Sequence, residues 1–260
     1  MSEVWSYPAG TPCWVDLGAD DREAAMKFYG GLFGWEFEVG PPELGHHTMC
    51  LLRGLPAAGI GERPRADDGT PLAPVAWTTF LATDDVDAAA ARSAEAGGTV
   101  VMGPMDIVEE GRMAVVEDST GAVFGLWEAH KHSGARIVNE PGALCWNEVA
   151  TRDHEGAGEF YRTLFGYQLA PLDMPGPSYS TLEVAGRSVA GILGMNASWP
   201  DAIPPHWMAY FDVADADVTV PLVRDLGGEV LRGPHDSPYG RLAVINDPQG
   251  AVFSIIELAG

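Results

Sequence analysis

The chain of 260 residues repeats itself, and a repeat of this length fixes the plan of the fold before any single residue is interpreted. The segment CWVDLGADDREAAMKFYGGLFGWEF returns as CWNEVATRDHEGAGEFYRTLFGYQL, which matches Trp14 with Trp146 and Phe28 with Phe160 at one offset. Later, GRMAVVEDSTGAVFGLWE returns as GRLAVINDPQGAVFSIIE, matching Asp118 with Asp247 and Phe124 with Phe253. Between the copies, AHKHSGARIVNEPGA has little apolar period and holds Gly134, Pro141 and Gly142. The expected organisation is therefore a first domain at 1–129, a linker at 130–142 and a second domain at 143–260. His130 and His132 fall in the linker and read as exposed residues rather than metal ligands.

Each half subdivides again. Cys13 to Leu17 is short and apolar, with Trp14 and Asp16 on one face as a period of two requires. Asp20 and Asp21 can cap a following helix in which Ala24, Ala25, Phe28 and Tyr29 recur at helical spacing. Gly30, Gly31 and Gly34 then break it, and WEFEV, HTMCLLR and PAAGI read as strands between Gly and Pro turns. The order returns with VAWTTFLAT, a helix from Val86 to Ala96, and three further strands. Four βαβββ units result, an α+β fold. Each sheet would bury a helix on one face and leave the other curved and open as a cup. We expect each half to build one such sheet, with the halves related by an approximate twofold.

Charge and cysteine usage narrow the function. Acidic side chains number 37 against 15 basic ones, a formal charge of −22, which disfavours partners that need clustered Lys and Arg: no nucleic acid and no anionic membrane surface is expected. MSEVWSYPAG lacks the basic and apolar regions of a signal peptide, and Gly69 to Thr83, free of charged residues, is too short to span a bilayer. Cys13, Cys50 and Cys145 are odd in number and dispersed, consistent with reduced thiols and a cytoplasmic protein. No phosphate loop, dinucleotide fingerprint or nucleophile elbow is present.

With FYGGLFGW and FYRTLFGY after the first helix of each half, EDSTGAVFGLWE and NDPQGAVFSIIE at each end, and a Gly-Gly-x-Val…Gly-Pro element in each (Gly97, Gly98, Val100, Gly103, Pro104; Gly227, Gly228, Val230, Gly233, Pro234), the chain resembles the vicinal oxygen chelate superfamily, which includes glyoxalases, bleomycin-resistance proteins and extradiol dioxygenases. The resemblance covers nearly the whole chain as two glyoxalase-like halves. The tandem form is similar to an actinobacterial "hydroxylase" or antigen group with relatives in aromatic-polyketide antibiotic pathways. Metal-dependent members hold a divalent ion with His, Gln or Glu in the cup. The corresponding positions here are Trp14, Trp146, Gly125 and Ser254, with a third near Trp77 or Thr78 and near Trp207 or Met208; the remaining strand offers glycine and aliphatic residues before Glu62. An indole nitrogen is only a donor, so the resemblance implies a cup with no metal and no cofactor.

What remains for the cups is aromatic: Trp14, Trp77, Phe80, Trp146, Trp207 and Tyr210 lie on first strands of their units. Such rings suit a bulky, planar or hydrophobic ligand. Asp16 and Glu148 share the faces of Trp14 and Trp146, and His47 aligns with Tyr179, giving the candidate proton-transfer pairs Asp16 with His47 and Glu148 with Tyr179. Of these only His47 has an unperturbed pKa near neutrality, so a catalytic chain would use it first. His206, His235 and Tyr239, beside prolines, are further ligand contacts. Three readings stand: a metal-independent protein that binds a hydrophobic or aromatic small molecule such as a polyketide, or assists a partner biosynthetic enzyme; a metal-independent enzyme for hydroxylation-like, cyclisation or isomerisation chemistry; and a metal-dependent dioxygenase or lyase with relocated ligands. The sequence accommodates a monomer or a homodimer.

Overall fold

The computed structural model describes residues 3–173 and 176–259. The first half runs β1 (Pro12–Ala19), α1 (Arg22–Phe33), β2 (Glu36–Val39), β3 (Thr48–Leu52), β4 (Leu55–Glu62), β5 (Ala76–Ala82), α2 (Val86–Glu95), β6 (Thr99–Ile107), β7 (Gly111–Glu117) and β8 (Val123–Ala129). The second repeats it as β9 (Leu144–Thr151), α3 (His154–Phe165), β10 (Gln168–Pro171), β11 (Tyr179–Val184), β12 (Arg187–Gly194), β13 (His206–Asp212), α4 (Ala216–Asp225), β14 (Glu229–Ser237), β15 (Gly240–Asn246) and β16 (Val252–Leu258). Each of α1 to α4 starts on an aspartate whose carboxylate accepts from the third amide on: Asp21 from Ala24, Asp85 from Ala88, Asp153 from Gly156 and Asp215 from Val218. Gly34 and Gly166 end α1 and α3 at φ 71°, where a side chain would be strained.

Each half forms one eight-stranded mixed sheet, ordered β2-β3-β4-β1-β5-β8-β7-β6 and β10-β11-β12-β9-β13-β16-β15-β14. The two units of a half meet where β1 runs antiparallel to β5, and where β9 runs antiparallel to β13. Neither sheet closes into a barrel, so each has a helix-covered face and a second face, the cup.

The helix-covered faces join across the halves. Phe28, Tyr29 and Phe33 of α1 pack against Phe253 of β16, and Phe33 also meets Phe211 of β13. Phe160 and Tyr161 of α3 pack against Phe124 of β8. Each such buried ring contributes roughly 1.5–3 kcal/mol of hydrophobic stabilisation. The contact is specified by polar groups as well: the fully buried Tyr29 donates to Asp247 Oδ2 at 3.0 Å and accepts from Trp77 Nε1 at 3.0 Å. Tyr161 does the same with Asp118 at 2.8 Å and Trp207 at 2.8 Å. The aspartates of the two repeated turns thus tie each turn to the opposite half. Sheets belong to halves, whereas cores are shared between them.

Candidate functional site

The strand registers decide which side chains reach the concave faces. In the first sheet Trp14 lies opposite Phe80 and Asp16 opposite Thr78 on the β1–β5 pair, while Phe80 lies opposite Gly125 on β8. In the second, Trp146 lies opposite Tyr210, Glu148 opposite Met208, and Tyr210 opposite Ser254. Trp77 and Trp207, expected among the cup aromatics, are instead in the helix-side core, bound to Tyr29 and Tyr161. The reason is the period of two: Trp77 and Phe80 are three residues apart on one strand, as are Trp207 and Tyr210, so the members of each pair face opposite ways.

In the first cup, His47 Nε2 stands 2.5 Å from Asp16 Oδ2, and Trp14 Nε1 donates to the same oxygen at 3.2 Å. His47 precedes β3 and reaches Asp16 by crossing β4 at Gly59, where any Cβ would collide with both side chains. The Asp16 carboxylate holds the imidazole above its ordinary pKa, against the opposing effect of burial, and so favours the protonated ring. His132 also belongs here, which corrects its reading as an exposed linker residue. Its ring meets Trp14 edge-on at 4.5 Å between centroids and Trp127 of β8 at 5.6 Å. Burial first, and then the neighbouring His47, push its pKa down to about 4.

In the second cup, Trp146 Nε1 donates to the Tyr179 hydroxyl at 2.9 Å, and the Tyr210 hydroxyl donates to Glu148 Oε1 at 2.6 Å. Tyr179 crosses β12 at Gly191 as His47 crosses at Gly59, and a Cβ at Gly191 would strike its phenol. Burial raises the Glu148 pKa, and the Tyr210 and Tyr179 phenols pull it part of the way back. Both phenols are themselves pushed up by burial and by the Glu148 charge. Such a carboxyl, held among neutral donors, is suited to giving and taking a proton.

The remaining expected contacts are peripheral. His206 opens β13 half-buried, its Nδ1 2.9 Å from Pro204 O, and shares the Glu148 face at the strand's end. His235 faces Leu242 on the outer β14–β15 pair, with Nδ1 buried and unpartnered. Tyr239 is 51% exposed in the turn between those strands. Sequence reasoning missed Trp127, although alternation from Gly125 would have placed it, and it missed Gly59 and Gly191, whose matched positions beside Asp16 and Glu148 were the available signal.

The family's metal positions can be tested against this geometry. Trp14 aims its indole donor at Asp16, and a side chain at Gly125 is precluded because the Phe80 ring lies where its Cβ would be. At the position matching Gly125 in the second half stands Ser254, fully buried opposite Tyr210. No group of three His, Cys, Asp or Glu side chains converges as ligands among the described residues. The residues present do not fit a family-type divalent ion.

Comparison with known proteins places this arrangement. Residues 13–126 match the family described as Glyoxalase/Bleomycin resistance protein/Dioxygenase superfamily, and residues 145–256 match a glyoxalase-like domain. The chain is 41% identical over 264 residues to "Putative glyoxylase CFP32" of Mycobacterium tuberculosis, covering 100% of this chain and 99% of that one. It is 37% identical over 262 residues to the anthracycline biosynthesis protein DauV of Streptomyces sp. strain C5, covering 97% and 94%. Among solved structures, the Mn(II)-bound glyoxalase of Novosphingobium aromaticivorans superposes with a TM-score of 0.64 at 18% identity, covering 99% of this chain and 83% of that one. The 2,3-dioxygenase LapB of Pseudomonas sp. KL28 gives 0.65 at 14%, covering 97% and 94%. At those identities the likeness is one of fold. Two matched domains and whole-length relatives make this chain a member of the glyoxalase/bleomycin resistance/dioxygenase superfamily, built as two such domains in tandem.

Proposed function

We propose that this protein binds a hydrophobic, aromatic small molecule of natural-product type, without a metal, and that the second cup is its principal site. The observation that carries the reading is the composition of that cup: Trp146, Tyr179 and Tyr210, all half-buried, surround the buried Glu148, where metal-dependent relatives need a set of ligands. The half-exposed rings offer apolar contact area, and one Trp or Tyr anchor in such a site carries about 2 kcal/mol or more of binding energy. The full-length relatedness to an anthracycline biosynthesis protein supports a planar polyketide as the ligand class. The test is titration with 1,8-dihydroxyanthraquinone before and after dialysis against EDTA. Saturable binding unchanged by chelation is expected; binding that requires added Mn, Fe, Ni or Zn would overturn the metal-free reading.

Glu148 supports a second reading, that the bound molecule is also transformed by proton transfer. Burial raises the Glu148 carboxyl pKa and so favours its acid form, and Tyr210 and Tyr179 can steady the charge when the proton leaves. In this reading Glu148 takes the role first expected of His47, whose proton is engaged by Asp16 in a cup that His132 fills. The cyclisation or isomerisation of a carbonyl-bearing aromatic would need no co-reactant beyond this acid-base pair. Comparing wild type with Glu148→Gln on a candidate substrate tests it: loss of turnover with retained affinity is expected, and an unchanged rate returns the protein to binding alone.

A further inference from the structure

The segment between the halves does more than connect them. His132 N donates to Glu110 O at 3.0 Å, Trp127 Nε1 donates to His132 O at 2.9 Å, and Lys131 pairs with Glu109. Further along, Ala135 N donates to Cys13 O at 2.8 Å, the Tyr7 hydroxyl to Ala135 O at 2.6 Å, and Arg136 N to Pro56 O at 2.7 Å. Arg136 stacks its guanidinium 3.5 Å over Trp5. The segment is therefore a strap fastened to β1, β4, the β6–β7 hairpin and the residues preceding β1.

One of the strap's two imidazoles, that of His132, enters the first cup. The His132 imidazole sits edge-on to Trp14, beside Trp127, and its Nε2 is buried with no hydrogen-bond partner. An unpaired buried nitrogen is unfavourable, so the ring is held there by its backbone and by the apolar contact rather than by a polar bond of its own. Trp14 is 5% and Phe80 7% exposed, in a cluster with Trp127 that Ala135 and Val138 of the strap also join, whereas the matched Trp146 and Tyr210 are half-buried. We infer that the first cup is a latent site for a planar aromatic molecule, held shut by the His132 ring of the strap, which occupies the place a ligand ring would take. The two domains are then unequal: one cup receives the ligand and the other holds a built-in substitute.

This inference rests on the proposed ligand class, and stoichiometry separates the two. The test is calorimetric titration of 1,8-dihydroxyanthraquinone into wild type, His132→Ala, His132→Ser and His132→Phe. The Ala and Ser changes remove the ring and leave both backbone hydrogen bonds of residue 132, and Phe keeps a plug. One site per chain is expected for wild type and for H132F, and two for H132A and H132S, the added site quenching Trp14 fluorescence and surviving in a W146A background. One site in wild type and still one in both ring-less variants overturns the inference, as do two sites in wild type. No site in wild type with one in H132A supports the plug and overturns the assignment of the second cup. No site in any variant overturns both.

Discussion

The two cups are the same scaffold carrying different chemistry. Asp16 and His47 form a close carboxylate–imidazole pair in the first, whereas Glu148, Tyr179 and Tyr210 form a network of phenol donors around a carboxyl in the second. Both rely on a glycine of the neighbouring strand, Gly59 or Gly191, to let a side chain cross to the carboxylate. The scaffold therefore fixes the place of an acid and a partner; the Asp16 charge raises the His47 pKa, whereas burial raises that of Glu148 against the pull of its phenol partners. In the first pair the imidazole is favoured in its protonated form; the second carboxyl is pushed toward its neutral form beside three half-buried rings. The two halves keep a tryptophan, an acid and a glycine at matched cup positions and differ in the acid's partner, His47 in one and Tyr179 in the other.

The difference can be broken most directly by kinetics. If the protein transforms its ligand, Glu148→Gln should lower turnover by roughly 10² to 10⁴ with affinity nearly unchanged, while Asp16→Asn leaves that turnover near wild type. The reverse result in a single-turnover assay would move the chemistry to the first cup.

Truncating the matched tryptophans sharpens the contrast next. Trp14→Ala removes a buried ring and should destabilise the protein by about 3–5 kcal/mol in denaturant unfolding. Trp146→Ala should act on binding, weakening 1,8-dihydroxyanthraquinone about 30-fold, or about 2 kcal/mol, with a smaller loss of stability. Equal effects of the two changes on stability would show that the second cup is as closed as the first.

The pH dependence of stability distinguishes the groups by sign. His132 has a folded pKa of about 4 against about 6.5 when unfolded, so the unfolded chain takes up a proton first and stability falls as pH drops from about 6.5 to 4. His132→Phe should remove that loss, at most about 3 kcal/mol, from thermal unfolding across this window. His47 acts oppositely: its raised pKa contributes stability below about 6.5 that is lost as pH rises through the folded value, and His47→Gln should abolish this alkaline decline. Glu148 also favours lower pH, because the buried carboxyl must ionise as pH rises above about 4.3; Glu148→Gln should flatten the curve there. The His47 effect should be the smallest, since its side chain is 36% exposed and screened by solvent.

The repeat, the strand alternation and the capping aspartates were legible in the chain, and so was the α+β plan of four βαβββ units, because these depend on spacing within a few residues. The same local rule placed Trp14 with Asp16 and Trp146 with Glu148, and applied more strictly it would have sent Trp77 and Trp207 to the core. Matching the halves aligned His47 with Tyr179, but their contact with a carboxylate depended on how β3 and β11 pair with the next strand and on the glycines at Gly59 and Gly191. The sharing of each core across the halves, through Tyr29 with Asp247 and Tyr161 with Asp118, joins residues more than 40 positions apart and left no local trace. His132 is the sharpest case. Its polar neighbours gave it the composition of a linker, and only the path of the strap over β1 placed its ring against Trp14. Sequence by itself determined the elements and the face each side chain takes, since those follow from periodicity. Tertiary structure decided which faces meet and which cup's rings are buried, since burial is a property of what lies above a residue and not of the residue.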